Sequence, residues 1–246
     1  MTYKILTVLS VFLFSFAYTT APGETTPSNN TLLSEISSEP ITEELTIEEE
    51  ISQLYTLFSE KNSNIPSLTS FKNGMMGYYK LQAQNLVEKE ILTIIDFSLS
   101  STKKRMWVLD MKNHEVLIHS VVAHGKNTGG EFATQFSNKV NSLQSSLGFY
   151  LTAETYMGGN GYSLFIDGME EEFNSKARER YVVIHGAGYA NPESIKGLGR
   201  LGRSYGCPAV PTSLTNEFID TIKERSVLYI HSNDKKYIER SKMIRA

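Results

Sequence analysis

One residue in this chain can act as a thiol nucleophile: Cys207, the single cysteine in 246 residues. It lies in Arg203-Ser204-Tyr205-Gly206-Cys207-Pro208, twenty-two positions after His185, which ends the apolar stretch Tyr181-Val182-Val183-Ile184. A lone thiol closes no internal disulfide, and in an exported chain it is open to oxidation unless buried or in use. The thiolate is the attacking species, and a free cysteine has a pKa of about 8.5, so a base or a positive charge must raise its ionised fraction. Imidazole is the natural partner because it titrates near neutrality. A strand ending at His185 would hold the ring on a rigid element, and the following loop is long enough to bring the sulfur back to it. Gly206 permits a tight turn in which the amides of Gly206 and Cys207 face an incoming carbonyl oxygen as oxyanion donors. Pro208 has no N–H and adds no donor. The alternative for Cys207 is a small buried hydrophobe, but the glycines, arginine and serine around it are not core-like.

Other polar side chains of the same stretch extend this site. Ser204 is placed to orient the loop or a substrate carbonyl. Arg200 and Arg203 carry forks that match carboxylates and would also favour the thiolate; solvation of an exposed loop explains them equally well, and both readings stay open. His124, in Ala123-His124-Gly125-Lys126, is expected to line the site or to stand behind it. His114, His119 and His231 have no such context. A zinc site from His124, His185 and Cys207 would lack close ligand spacing and a fourth protein ligand, so no metal is predicted.

The elements that must carry these residues are mostly strands. Stretches rich in β-branched residues or alternating in polarity predict strands over 91–97, 105–111, 116–122, 148–155, 162–167, 181–185 and 227–231, with a hairpin turn at 112–115. Thr212 or Ser213 starts one convincing late helix, to Arg225, with Leu214, Phe218, Ile219 and Ile222 as its apolar stripe. Upstream, Ile47, Ile51, Leu54 and Phe58 recur at helical spacing, 59–66 breaks the pattern, and a second helix is expected over 68–87. The stretches 125–147 and 186–210 are predicted to be long irregular loops, a length that in a compact domain usually signals function. Many short strands with few helices predict a mainly β, sandwich or barrel-like core with an N-terminal helical extension.

The first residues have the form of a secretory signal: Lys4, an apolar run from Ile5 to Tyr18, and small residues before a cut expected after Ala17, at the latest Ala21. The run is shorter than the ~20 residues a membrane span needs, so no stable span is expected after signal removal. No cysteine follows it, which excludes lipoprotein attachment. From Glu24 to Glu50 there are eight glutamates and no lysine or arginine, so 22–45 is set out as an acidic disordered leader. The helical segment is then 46–90, the main domain 91–232 and the tail 233–246. A formal charge of -3 gives no whole-chain reason to expect nucleic acid. Export makes the expected location periplasmic or secreted, in the cell envelope.

The segment Val183-Ile184-His185-Gly186-Ala187, with Gly199-Arg200-Leu201-Gly202-Arg203-Ser204-Tyr205-Gly206-Cys207-Pro208, resembles the murein L,D-transpeptidase catalytic domain (YkuD-like). The family signature is a histidine, a loop, then Ser/Thr-His-Gly-Cys; His185, Ser204, Gly206 and Cys207 match it. The chain is more similar to the branch with another residue in place of the second histidine, here Tyr205, and with Pro208 after the cysteine. Val122 to Gly125, Phe136 to Asn138, Ser145 to Tyr150 and Tyr162 to Leu164 are similar to further blocks of that branch, so the resemblance spans about 91–229. It implies a YkuD-like β-sandwich or barrel, with Cys207 as nucleophile, His185 as base and Gly206 in the oxyanion turn. It also implies a substrate groove that includes Ser204, Arg203, Arg200, Tyr205 and His124. The implied partner is the peptidoglycan stem tetrapeptide, cleaved and re-joined through a thioester, and the resemblance implies that no metal or organic cofactor is required. The alternatives are an L,D-carboxypeptidase or cysteine peptidase on the same site, or an inactive peptidoglycan-binding module.

Overall fold

The computed structural model describes residues 45–245; the predicted signal and nearly all of the acidic leader lie outside them. Helix α1 (Ile47–Lys61) starts at a reciprocal cap: Glu49 N–H donates to the Thr46 hydroxyl at 3.3 Å, and Thr46 N–H donates to the Glu49 carboxylate at 2.9 Å. The pair satisfies two of the amides that a helix start leaves without partners. Of the predicted stripe, Ile51 and Phe58 are buried and Leu54 packs against the same core, while Ile47 stays exposed in the first turn. Helix α2 (Leu68–Ala83) ends before the expected Val87. Asn85 takes a left-handed φ of 55°, and Leu86 N–H returns to the Leu81 carbonyl at 3.1 Å, which closes the helix end. The glycines inside α2 reflect close packing: a β-carbon at Gly77 would lie 2.1 Å from the Phe149 ring.

Eight strands follow: β1 (Ile91–Asp96), β2 (Met106–Asp110), β3 (Glu115–Ser120), β4 (Gly148–Gly158), β5 (Gly161–Gly168), β6 (Val183–Gly186), β7 (Ala209–Val210) and β8 (Val227–His231). They form one sheet in the order β3-β2-β1-β8-β4-β5-β6-β7. The β1/β8 and β6/β7 pairs are parallel and the others antiparallel. β1 and β8 are buried along their whole length, as strands covered on both faces must be; α2 packs against both. The two edges meet just after β3, where Ala123 N–H donates to Ala209 O at 2.8 Å and Ala209 N–H donates back at 3.3 Å. This seam curls the sheet into a nearly closed barrel, the mainly β architecture expected.

The C-terminal half differs from its expected elements in local ways. β6 begins at Val183 because Tyr181 has a left-handed φ of 52°, which no strand continues through. The loop predicted over 186–210 contains α3 (Glu193–Leu198) and β7, too short for a periodic signal. The predicted helix over 212–225 is a 3₁₀ turn (Thr212–Leu214) followed by α4 (Thr215–Ile222); left-handed Glu224 and Arg225 end it. The stretch set out as a tail carries α5 (Lys235–Arg240), whose Tyr237 is fully buried in the core.

Candidate active site

His185 is held from both sides. In the sheet it stands opposite Ser163 of β5 and Ala209 of β7, and its side chain is buried. Its Nδ1 lies 3.0 Å from the Gly186 carbonyl oxygen. A carbonyl only accepts, so Nδ1 carries the proton and Nε2 keeps the free lone pair. Burial pushes the imidazole below its ordinary range, partly offset by that carbonyl. The ring is therefore neutral at pH 7, the state a general base requires.

The turn that bears the thiol is tied by one hydroxyl. Ser204 Oγ accepts from Gly206 N–H at 3.1 Å and donates to Cys207 O at 2.6 Å. Gly206 has φ +129°, and a β-carbon there would sit 2.9 Å from Gln144 O, so only glycine fits. Ser204 is buried and orients the loop, and it also lines a cavity that it shares with Cys207. One consequence corrects an expectation. The Gly206 N–H, expected to be an oxyanion donor, is occupied by Ser204. Cys207 N–H is the remaining donor of the pair, and it favours the thiolate of its own side chain.

Continuing the β6/β7 register two residues back sets Cys207 beside Val183. There Val183 N–H donates to Sγ at 3.4 Å, and the thiol donates to Tyr181 O at the same distance. Val183 and His185 project from the same face of β6, which makes the thiol and the imidazole diagonal neighbours. Both line one cavity of about 780 Å³; the hydrogen-bond partners of the sulfur are the two backbone groups, not the ring. Cys207 is partly exposed, yet burial of its sulfur pushes the thiol up, opposed by Val183 N–H and the positive charge of Arg180.

Arg200, Arg203 and Tyr205 line the same cavity, with Lys126 and Arg180 adding two more cations. Among the described residues, no aspartate or glutamate lines it. Arg203 donates to the carbonyls of Lys126 and Gly129 at 3.2 and 2.9 Å, and Arg200 to that of Leu201 at 2.7 Å. Neither pairs with a carboxylate among the described residues, so their charges remain available to an anionic ligand. Tyr205 is 75% exposed at the mouth.

His124 stands elsewhere. It is buried and does not line the cavity. Arg105, itself fully buried, donates to His124 Nδ1 at 2.8 Å. Arginine only donates, so Nδ1 is the acceptor and the Nε2–H points to Gly129 O at 3.4 Å. Burial, and then the Arg105 charge, push His124 down to about 4. It is a neutral bearing behind the seam rather than a substrate contact. No group of three or more His, Cys, Asp or Glu able to hold a metal ion occurs among the described residues.

Sequence reasoning missed Arg180, Lys126 and the cavity tyrosines Tyr156, Tyr181 and Tyr189. Arg180 ends the run Lys176-Ala177-Arg178-Glu179-Arg180, which has the look of a solvated face; its place five residues before His185 was the one available signal. Tyr156 sits far along the β4–β5 hairpin, and no spacing in the chain relates it to the thiol.

Comparison with known proteins bears on this geometry. No curated protein matches the sequence. Distant likenesses exist among solved structures. An L,D-transpeptidase from Mycobacterium smegmatis is 13% identical over 58% of this chain and 58% of that one, with a TM-score of 0.36. An L,D-transpeptidase from Mycobacterium tuberculosis H37Rv is 12% identical over 58% and 57%, at 0.33. The helical cell shape determining protein Pgp2 of Campylobacter jejuni is 12% identical over 70% and 58%, at 0.39. The chain thus spans about three-fifths of the length of these proteins. The pattern of the L,D-transpeptidase catalytic domain matches residues 62–231, most of the chain, from just before α2 to the end of β8. On that match, which takes in both His185 and Cys207, the chain belongs to the L,D-transpeptidase catalytic-domain family.

Proposed function

We propose that the protein is a peptidoglycan-remodelling L,D-transpeptidase that works through a Cys207 thioester on stem tetrapeptides. The observation that carries this reading is the shared cavity of Cys207 and His185, with the ring proton fixed on Nδ1 so that Nε2 is the basic atom. Because burial raises the thiol, it rests protonated, and Nε2 removes its proton as the sulfur attacks. The new C–S bond forms on the carbonyl between an L-centre and the terminal D-alanine, and the oxyanion meets the Cys207 N–H. Collapse breaks the C–N bond, the imidazolium returns the proton to the leaving amine, and a thioester remains. An amine of a second stem, a free D-amino acid or a protein lysine then attacks the thioester carbonyl. His185 takes the proton of that amine and the thiol is regenerated. Water in place of the amine gives carboxypeptidase activity. The uncompensated cations of Arg200 and Arg203 suit the free carboxylates of a stem peptide. Peptidoglycan as substrate fits a location in the cell envelope, in keeping with the signal expected from the sequence.

The test is acylation by a carbapenem, whose strained lactam carbonyl traps such thiols. Intact mass should show one adduct on the wild type, none on Cys207→Ala, and on His185→Ala a rate lower by about a hundredfold or more. A wild type that neither acylates nor converts defined tetrapeptide stems overturns the proposal in favour of a binding module. Product analysis of defined muropeptides separates transpeptidation from carboxypeptidase and endopeptidase cleavage.

A further inference from the structure

Arg178 and Arg180 are two residues apart and differ completely. Arg178 is a surface arginine paired with Glu154 and Asp167. Among the described residues, Arg180 touches no carboxylate. Its Nη1 donates to Ser137 O at 2.7 Å and Ser146 Oγ at 3.2 Å; its Nη2 donates to Ser142 Oγ at 3.3 Å and to Gln144 O. All four acceptors belong to the irregular segment between β3 and β4, and all are neutral. The guanidinium also abuts the cysteine turn: Nη2 lies 3.4 Å from the point a Gly206 β-carbon would occupy, and Gln144 O lies 2.9 Å from it. Arg180 lines the cavity with the thiol, and each of the two groups favours the charged form of the other.

We propose that Arg180 is a positioning residue, whose fork clamps the 137–146 segment onto the cysteine turn and holds a permanent, unneutralised positive charge against the sulfur of Cys207. The inference rests on the reading of Cys207 as the nucleophile. Other charged or titratable groups also face the thiol. His185 comes from β6, Tyr181 from the residue after Arg180, and Tyr189 from the turn that follows β6; Tyr205 belongs to the cysteine turn itself. Lys126, Arg200 and Arg203 line the same cavity, but the positive charge that acts on Cys207 is that of Arg180. A guanidinium is charged at every working pH, so its effect on the thiol does not switch off.

The test needs no peptidoglycan, so it succeeds or fails separately from the proposed reaction: alkylation of Cys207 by iodoacetamide, followed by intact mass across a pH series. In Arg180→Gln the midpoint should rise by about one pH unit. A thiol of higher pKa is also intrinsically more nucleophilic. The high-pH plateau should therefore rise by about threefold while the rate at pH 7 falls by about threefold, so that the two profiles cross. A purely structural role would not make them cross. A folded Arg180→Gln protein with the wild-type profile overturns the proposal. Should glutamine prevent folding, Arg180→Lys decides. A wild-type midpoint together with faster hydrogen exchange over 137–146 supports clamp and charge together. A midpoint raised by as much as a unit, or unchanged exchange, overturns them.

Discussion

The wall of the barrel and its seam are built on different physics. In the wall, β1, β8 and β4 pair in long registers, α2 lies on them, and Phe149 stacks on Tyr229 with ring centres 4.3 Å apart. Its backbone groups are consumed by the ladder and its faces by apolar packing. At the seam, one Ala123–Ala209 bridge joins the edges. Ser204 adds two backbone bonds, donating to His124 O at 3.0 Å and accepting from Lys126 N–H at 2.7 Å. Hydroxyls and Arg180 do the rest. The thiol sits at the seam because amides and carbonyls released from the ladder are the ones that can hold a sulfur or an oxyanion. Burial gives the wall its stability, and hydrogen bonding gives the seam its geometry.

Three changes probe that difference. The largest effect on stability belongs to the wall: Phe149→Ala should lower unfolding free energy by about 3–5 kcal/mol, measured by denaturant titration. The alkylation profile of the folded fraction should stay unchanged; a shifted profile would mean wall and seam are one mechanical unit. Next is acid. Folded His124 titrates at about 4, against about 6.5 when unfolded, so between those values the unfolded chain binds the extra proton. Stability is then complete above pH 6.5 and falls as the pH drops toward 4, by up to about 3 kcal/mol from this residue. His185 and His231 are also lowered by burial and act in the same direction. His124→Asn, which keeps an acceptor for Arg105, should flatten the fall of melting temperature with acid, and an equally steep fall would remove His124 from that role. The smallest stability effect comes from Ser204→Ala, about 1 kcal/mol for its lost hydrogen bonds. Carbapenem acylation should nevertheless slow by about tenfold to a hundredfold, because the cysteine turn loses its tie. Unaltered acylation would show that the turn is held by other groups.

The legible part of the site was local. Cys207, Gly206 and Ser204 are within four residues of one another, and His185 ends a run of apolar residues, so composition and adjacency disclosed them. Of the two positions open to His124, the one behind the site was not legible, because its partner, Arg105, is a charged residue in full burial, a placement that sequence statistics disfavour. Arg180 was overlooked for the converse reason: its charge run looked solvated, and only the fold shows that Arg178 faces carboxylates while Arg180 faces the cysteine turn. Glycine permits the tight turn that would face the Gly206 amide to a carbonyl oxygen, but the Ser204 hydroxyl two residues away takes that amide.

By itself, the order of residues determined the strand-rich character, the stretch in which the first helix forms, and the single thiol with a histidine upstream of it, because period and residue chemistry act over a few positions. The tertiary structure alone decided which edges meet, which amide stays free, which imidazole nitrogen is basic and which arginine stands beside the sulfur. Those depend on contacts between segments distant along the chain, and no short-range pattern records them.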